Sequence, residues 1–169
     1  MTHPLVKQLR FARSEFVRGL EGVTPAEGLV RFEAMNSLGW TIGHLANQEN
    51  FYWVYLAQGV TIAAELRRLV GTGRPASTPP LDEMWDAWRE VTAAADTYLD
   101  TVTREQLTHH FPFSTSTWKE NVGTLLLRNA YHYWYHLGEG MAVRQMLGHT
   151  DLPQFVGNMG ALTPAPDED

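Results

Sequence analysis

Apolar residues recur every three or four positions along four long segments of the chain, with polar and charged residues at most positions between them. This spacing gathers the apolar side chains on one face of an α-helix. The segments are residues 4–22, 37–59, 81–102 and 118–147. We therefore predict four long amphipathic helices, each of which buries one face.

Helix-breaking and helix-capping residues mark the connections between these segments. Gly22 is predicted to end the first helix, and the segment TPAE at residues 24–27 has the pattern of a capping box that opens a short connecting helix. A further short helix is predicted over 62–70, before a loop rich in glycine and proline at 71–80. Residues 108–117 lack a helical period and are predicted to form a partly buried loop.

The chain offers no convincing source of β-strands, because no run of four to eight residues alternates apolar and polar positions between hairpin turns. An all-α fold follows, and four long helices favour an antiparallel four-helix bundle with short connecting helices. We expect this bundle to be one domain over residues 1–160. The remaining segment, 161–169, is acidic and punctuated by proline, so a disordered tail is expected.

The composition and net charge of the chain exclude some classes of binding partner. A length of 169 residues with 44% hydrophobic residues suits one globular domain. The formal net charge of −6 removes the electrostatic basis for binding nucleic acid, which requires clustered basic residues. No apolar run approaches the ~20 residues of a membrane span, and the N-terminus lacks the pattern of a secretion signal. We therefore expect a cytoplasmic protein with no nucleic-acid and no membrane partner.

The histidines are the candidate metal ligands, because the chain has seven of them and no cysteine. Any metal ion must then be bound by histidine and carboxylate side chains. His132 and His136 lie four residues apart and project from the same face of the predicted fourth helix. His44, on the predicted second helix, can supply a third ligand. The alternative for each is a histidine satisfied by hydrogen bonds in the core.

The segment HYWYH, at residues 132–136, differs from the zinc-peptidase motif H-E-x-x-H, because Tyr133 occupies the position of the glutamate general base. That peptidase chemistry is therefore excluded. The remaining histidines have simpler interpretations. His3 and His149 are expected to be solvated or to cap helices, and the loop residues His109 and His110 to be exposed.

The chain contains the segments NSLGWTIGHLA, at residues 36–46, and LLLRNAYHYWYHLG, at residues 125–138. These segments resemble motifs of the DinB-like superfamily of metal-binding four-helix bundles, and the resemblance covers nearly the whole chain. It implies that His44, His132 and His136, together with water, bind a divalent metal ion, commonly zinc or nickel. Many members of the family have glutamine where this chain has Glu139.

The resemblance also implies a class of reaction. Members of the family include thiol S-transferases that use bacillithiol, glutathione or mycothiol, and mycothiol-dependent isomerases. The expected function is therefore that of a metal-dependent enzyme similar to the thiol S-transferases, with a small-molecule substrate and a low-molecular-weight thiol. Two alternatives stay open: a hydrolase in which the metal ion activates water, and a metal-binding bundle without catalytic activity.

A homodimer is expected from the family resemblance. The helices also carry more aromatic surface than a bundle of this length needs inside, which favours a partner. Trp85 and Trp88 lie three residues apart on the predicted third helix. Their shared face can contact a second copy or pack in the core.

Residues that flank the three histidines are weaker candidates for catalysis. Arg128 lies four residues before His132 and can hold a substrate carboxylate, whereas Glu139 can act as a base for water. Asn47, Gln48 and Asn129 can also flank the site. The alternative for each is a structural hydrogen bond or an exposed position. Six aromatic residues can line an apolar pocket or pack in the core: Trp40, Phe51, Tyr52, Trp53, Trp134 and Tyr135.

Overall fold

A computed structural model of the protein describes residues 2–112, 119–154 and 156–162. Of residue 161 it describes only the backbone. The described residues form six α-helices and no β-strand, which confirms the predicted all-α fold. The helices are α1 (Pro4–Gly19), α2 (Pro25–Gly28), α3 (Leu38–Glu49), α4 (Leu66–Val70), α5 (Leu81–Leu99) and α6 (Val122–Met146). None of these helices has both the length and the apolar composition that crossing a membrane would take.

The four long helices, α1, α3, α5 and α6, pack around one hydrophobic core. α1 packs mainly against α6, and α3 packs against both α5 and α6. Burial of a large apolar side chain contributes about 1.5–3 kcal/mol, so these contacts are the main force that holds the bundle together. The buried positions follow the three- and four-residue spacing of the sequence, and they include Leu9, Phe16, Leu45, Val91 and Leu126.

Capping boxes mark where two of the helices begin. Thr24 and Glu27 form the predicted capping box at α2, in which Glu27 Oε2 accepts from the Thr24 amide N–H at 2.8 Å. A second capping box, formed by Asn121 and Thr124, begins α6 at Val122. Residues 119–121 are not helical, so the prediction that this helix starts near 118 was wrong by about one turn. Residue 118 itself lies outside the described residues.

Other predicted boundaries shift by a few residues. α1 ends at Gly19, and Gly22, with a φ of +80°, lies in the following turn rather than at the helix end. The short helix predicted over 62–70 is confined to α4, because the φ of +44° at Ala63 is incompatible with a right-handed helix. α5 ends at Leu99, three residues before the predicted end at 102.

The predicted loop at 108–117 and the predicted tail at 161–169 fall partly outside the described residues. Thr108 ends a short 3₁₀ helix, and residues 109–112 have no regular secondary structure. Residues 113–117 and 163–169 lie outside the described ranges. The division into a domain over 1–160 and a disordered tail therefore stays a prediction.

α3 continues without a break into a π-helical segment, Asn50–Leu56, which was not predicted from the sequence. A π-helix has wider turns than an α-helix, because its hydrogen bonds join residues five apart. Tyr52, Trp53 and Val54 are consecutive in this segment and all buried. The preceding α-helix α3 also buries consecutive residues, from Leu38 to Ala46. This part of the chain, Trp53 included, therefore lies inside the bundle.

Trp85 and Trp88 of α5 pack against the core of their own chain. The Trp85 ring lies 5.9 Å from the ring of Phe16, and Trp88 Nε1 donates to the Tyr133 hydroxyl at 2.7 Å. These contacts favour the core interpretation of the two tryptophans over a contact with a second copy. The homodimer itself stays a prediction.

A buried ion pair joins the helices at the centre of the bundle. The guanidinium of Arg13 on α1 donates through Nε to Glu49 Oε1 at 2.8 Å and through Nη2 to Glu49 Oε2. Glu49, at the end of α3, is fully buried and also accepts from the Tyr133 hydroxyl of α6 at 2.6 Å. Arg13 Nη1 donates to Asp96 of α5 at 2.8 Å. Burial, followed by the Glu49 charge, raises the pKa of Tyr133 well above its usual value, so this hydroxyl keeps its proton.

We predict that Arg13→Met destabilises the protein by about 3–5 kcal/mol, because it leaves the Glu49 carboxylate buried without its counter-charge. Urea unfolding followed by circular dichroism measures the loss. The control is Arg89→Met, which removes an exposed pair with Asp86 and is expected to change stability by less than about 1 kcal/mol. Losses of equal size in the two variants would contradict a structural role for the buried pair.

Candidate metal centre

Three histidines from two neighbouring helices converge on one point. His44 lies on α3, and His132 and His136 lie one turn apart on α6. The Nε2 atoms of His44 and His132 are 3.2 Å apart, and those of His132 and His136 are 2.9 Å apart. His44 and His136 are buried, and His132 is half-buried. Contact between α3 and α6 thus brings together the three histidines singled out in the sequence.

The spacing of the three nitrogen atoms fits the coordination sphere of a divalent metal ion. An ion about 2.0–2.1 Å from two imidazole nitrogens separates them by about 3.0 Å at a right angle and about 3.3 Å at the tetrahedral angle. The observed separations of 2.9 and 3.2 Å are close to these values. One ligand atom from each histidine lies within 4.8 Å of those of the other two. Neutral imidazoles suit zinc, nickel and related ions.

The second ring nitrogen of two imidazoles is held by a group that only accepts hydrogen bonds. His44 Nδ1 donates to the carbonyl oxygen of Val70 at 2.8 Å, and His136 Nδ1 donates to Glu139 Oε2 at 2.6 Å. Because a carbonyl and an ionised carboxylate have no proton to give, Nδ1 carries the proton and Nε2 keeps its lone pair in both rings. His44 thus bonds to a backbone carbonyl, as the core interpretation expects, and it also faces the other two histidines.

The third imidazole is held by a side-chain amide. His132 Nδ1 lies 2.7 Å from Oε1 of Gln48, which is one turn after His44 on α3. Gln48 Oε1 also accepts from Asn129 Nδ2 at 3.0 Å, and Asn129 Oδ1 accepts from the indole N–H of Trp53 at 2.7 Å. Each of the three imidazoles thus has a partner at Nδ1, a pattern typical of metal-binding histidines.

Burial keeps the three imidazoles uncharged. It is the largest cause of the lowered pKa of His44, His132 and His136, whose usual value is 6.5, and the pKa of the latter two falls to about 3. Neighbouring imidazoles add to the shift at His132 and His136. Because only an uncharged imidazole has a lone pair for a metal ion, the cluster is in its ligating form at neutral pH.

The flanking polar candidates occupy different positions. Gln48 and Glu139 orient two of the imidazoles through the hydrogen bonds described above. Arg128 lies in an exposed ion pair, with its Nε 2.7 and 2.9 Å from the two carboxylate oxygens of Glu120. After burial and the two other imidazoles, the Arg128 charge is a further cause of the lowered pKa of His132. Arg128 is therefore close enough to act on charges in the centre.

Aromatic residues around the site divide between its walls and the core. The Trp40 ring stacks on the imidazole of His44 at 4.5 Å, with the two planes 13° apart. The exposed Tyr135 has its ring 5.1 Å from that of His136. Trp40 and Tyr135 therefore flank the histidine cluster. The other four pack against the core: Tyr52 and Trp53 are buried, and Phe51 and Trp134 are half-buried.

Two contributors to the centre were not identified from the sequence. Val70 acts through its backbone carbonyl at the C-terminal end of α4, where helix carbonyls have no partner within the helix. No side-chain pattern marks such an atom. From the sequence, Trp53 is a pocket or core residue, whereas in the structure its indole N–H also bonds to Asn129.

Three of the other histidines take up the positions expected of them, whereas the His149 side chain is half-buried against Glu27 and is neither solvated nor a helix cap. His3 caps α1, where its Nδ1 accepts from the Leu5 amide N–H at 3.1 Å. His149 follows the end of α6, and its Nε2 bonds to Glu27 Oε1 at 2.9 Å. His109 and His110 are exposed.

A cavity of about 240 Å³ touches a residue that orients one of the clustered histidines, although none of the three histidines lines it. Glu139, whose carboxylate orients His136, forms part of its wall. The remaining lining residues come from α3, from α6 and from the loop before α3: Ala34, Met35, Asn36, Leu38, Thr41, Gly140 and Val143. A small molecule in this cavity would contact Glu139.

Comparison with known proteins gives one family. A sequence profile of the DinB superfamily matches residues 8–139, a span that includes all three clustered histidines. Among curated proteins, no sequence matches the chain. The family match covers more than half of the 169 residues and agrees with the resemblance of the two histidine-bearing segments.

We predict that the wild-type protein binds one equivalent of Zn²⁺ or Ni²⁺ and that His132→Ala abolishes this binding, because only two imidazoles of the cluster remain. Elemental analysis of protein purified without a His tag measures the metal content. His109→Ala is the control, since it removes an exposed histidine outside the cluster. Full occupancy in His132→Ala would show that the ligand set is wrong.

We predict that the metal-free protein loses stability as the pH falls from about 6.5 towards 3. In the folded protein the pKa of His132 and His136 is about 3, whereas in the unfolded chain it returns to the usual 6.5. The unfolded chain therefore binds more protons in this range, and acid favours unfolding. Urea unfolding at a series of pH values measures how steeply the free energy of unfolding changes with pH. This slope is expected to be smaller in His136→Ala. Identical slopes in both proteins would contradict the prediction.

Proposed function

Because the chain belongs to the DinB superfamily, we propose that it is a divalent-metal-dependent enzyme similar to the thiol S-transferases. His44, His132 and His136 hold the ion, which we propose to be zinc or nickel. The observation that carries the proposal is the convergence of three Nε2 atoms in rings whose Nδ1 atoms are all hydrogen-bonded. Three neutral protein ligands leave coordination positions for a substrate.

A bound divalent ion supplies positive charge that lowers the pKa of a small thiol. The three imidazoles leave that charge uncompensated, because burial keeps them neutral. The chain has no cysteine, so the nucleophilic sulfur belongs to a co-substrate. In the proposed transfer, a bond forms between this sulfur and an electrophilic carbon of the second substrate, and the thiol proton and the leaving group depart.

The position of Glu139 favours thiol transfer over hydrolysis of a substrate by water. A hydrolase would need a general base, and Glu139 is the candidate from the sequence. Its carboxylate already accepts from His136 Nδ1 at 2.6 Å. A hydrogen bond from the Tyr135 hydroxyl to Glu139 raises the pKa of that tyrosine. Because two donors already occupy this carboxylate, it is not free to contact a water molecule as a general base would, so the transferase proposal is preferred.

Two features are suited to hold a small substrate. The Arg128 guanidinium is solvent-accessible and can attract a substrate carboxylate in exchange for Glu120. The cavity of about 240 Å³ beside Glu139 has room for a small organic group. On these two features we propose a small-molecule substrate.

We also propose a homodimer and a cytoplasmic location. Tyr131 and Tyr135 lie one turn apart on α6 and are each 64% exposed, which offers an aromatic face to a second copy. The net charge of −6 gives no basis for a nucleic-acid partner.

We predict metal-dependent conjugation of a small thiol to an electrophile of the chlorodinitrobenzene or bimane type. Metal-loaded protein is incubated with each of bacillithiol, mycothiol, glutathione and coenzyme A, and product is followed by absorbance or fluorescence. His44→Ala is expected to lose this activity and the exposed His109→Ala to keep it. Metal-dependent turnover of esters or amides without any conjugation would instead assign the protein to the hydrolases. Metal binding without either activity would leave a non-catalytic bundle.

A further inference from the structure

The ligating form of His132 depends on the orientation of one amide. Its Nδ1 faces Oε1 of Gln48 at 2.7 Å. A half-turn of the Gln48 amide would place the NH₂ group there instead, and His132 Nδ1 would then have to accept. The ring proton would move to Nε2, which could no longer bind a metal ion. His44 and His136 have no such ambiguity, because their partners are a carbonyl and a carboxylate.

The nearest neighbours of Gln48 do not by themselves fix its orientation. Asn129 donates through Nδ2 to Gln48 Oε1 at 3.0 Å, but Asn129 is also an amide and can turn in the same way. Tyr52 shares a hydrogen bond with Gln48, and a hydroxyl can either donate or accept. The direction of the hydrogen bonds must therefore be set further from the centre.

Trp53 determines the direction of the hydrogen bonds that lead to His132. An indole N–H can only donate, and Trp53 Nε1 lies 2.7 Å from Asn129 Oδ1. The oxygen of Asn129 must therefore face Trp53, its NH₂ group must face Gln48, and the oxygen of Gln48 must face both Asn129 and His132. Trp53 and Asn129 are fully buried, so water does not replace either partner.

We propose that Trp53 is a positioning residue of the metal centre, which acts through Asn129 and Gln48 to keep the Nε2 atom of His132 unprotonated. This inference rests on the proposed three-histidine metal site. In metal-free protein, a proton on His132 Nε2 would donate to Nε2 of His136, 2.9 Å away, or of His44, 3.2 Å away. This tautomer competes with the one that carries the proton on Nδ1 and leaves Nε2 free for a metal ion. The hydrogen bond from Trp53 prevents it.

The first test removes the indole N–H and retains a buried aromatic ring. Trp53→Phe is expected to weaken Zn²⁺ binding roughly tenfold, because the centre must leave the competing arrangement before it binds the ion. Competition with a chromophoric chelator measures the affinity. Trp88→Phe is the matched control, since it removes a hydrogen bond of equal length, 2.7 Å, that ends on the Tyr133 hydroxyl instead of Asn129.

A second variant makes the role of Trp53 redundant. In Gln48→Glu both terminal atoms are oxygens, so His132 Nδ1 meets an acceptor in either orientation, and the Tyr52 hydroxyl can turn to donate. Trp53→Phe is then expected to change the Zn²⁺ affinity little when it is added to Gln48→Glu. A merely structural role for Trp53 would cost the same affinity in both backgrounds, and equal losses would overturn the proposal.

The tautomer of His132 can be measured directly in the metal-free protein. Long-range ¹H–¹⁵N correlation spectra of the metal-free wild-type protein are expected to show the proton on Nδ1, and those of Trp53→Phe to show it on Nε2. A wild-type His132 with its proton on Nε2 would overturn the proposal. Failure of the wild-type protein to bind Zn²⁺ would refute the proposed metal site instead, so the two failures are distinguishable.

Discussion

The centre depends on the hydrogen bonds at the Nδ1 atoms of its three imidazoles, because these bonds decide which ring nitrogen keeps a lone pair. The fold provides the three acceptors from different elements. His44 uses the last carbonyl of α4, His132 uses Gln48 of α3, and His136 uses Glu139 of its own helix. The short helix α4 therefore contributes directly to the centre. The carbonyl of its last residue has no partner within the helix and accepts from His44 Nδ1.

Two residues of the buried hydrogen-bond network directly follow residues of the centre in the sequence, one on α3 and one on α6. Glu49 follows Gln48 on α3, and Tyr133 follows His132 on α6, and the two side chains are joined at 2.6 Å. Rotation of either helix about its axis would separate this pair and leave the Glu49 carboxylate buried with fewer partners, at a cost of several kcal/mol. The contacts of Glu49 with Arg13 and with Tyr133 therefore fix the rotation of α3 and α6, and with it the directions in which the histidines point.

The sequence predicts the residues of this centre better than it predicts their hydrogen bonds. Helical spacing is sufficient to place His132 and His136 on one face, and four long helices are sufficient to bring His44 near them. The Val70 carbonyl is a backbone atom, which every residue has, so no pattern distinguishes it. The π-helical segment that contains Trp53 packs against α5, which is distant in the sequence, and no local pattern predicts such a contact. Helix boundaries were wrong where a cap or a positive φ intervened, as at Asn121 and Ala63.

The same reasoning about amides gives a physical meaning to Glu139, at a position that many members of the family fill with glutamine. A glutamine there would have the ambiguity of Gln48 and would need its own donor to turn its oxygen towards His136. A carboxylate needs none, because both of its terminal atoms accept. It also adds a negative charge beside the His136 imidazole, which neither a carbonyl nor an amide supplies to the other two rings. The centre is therefore built from three neutral rings whose partners differ in charge and in freedom to turn: a fixed carbonyl, an amide oriented through Asn129 by Trp53, and a carboxylate.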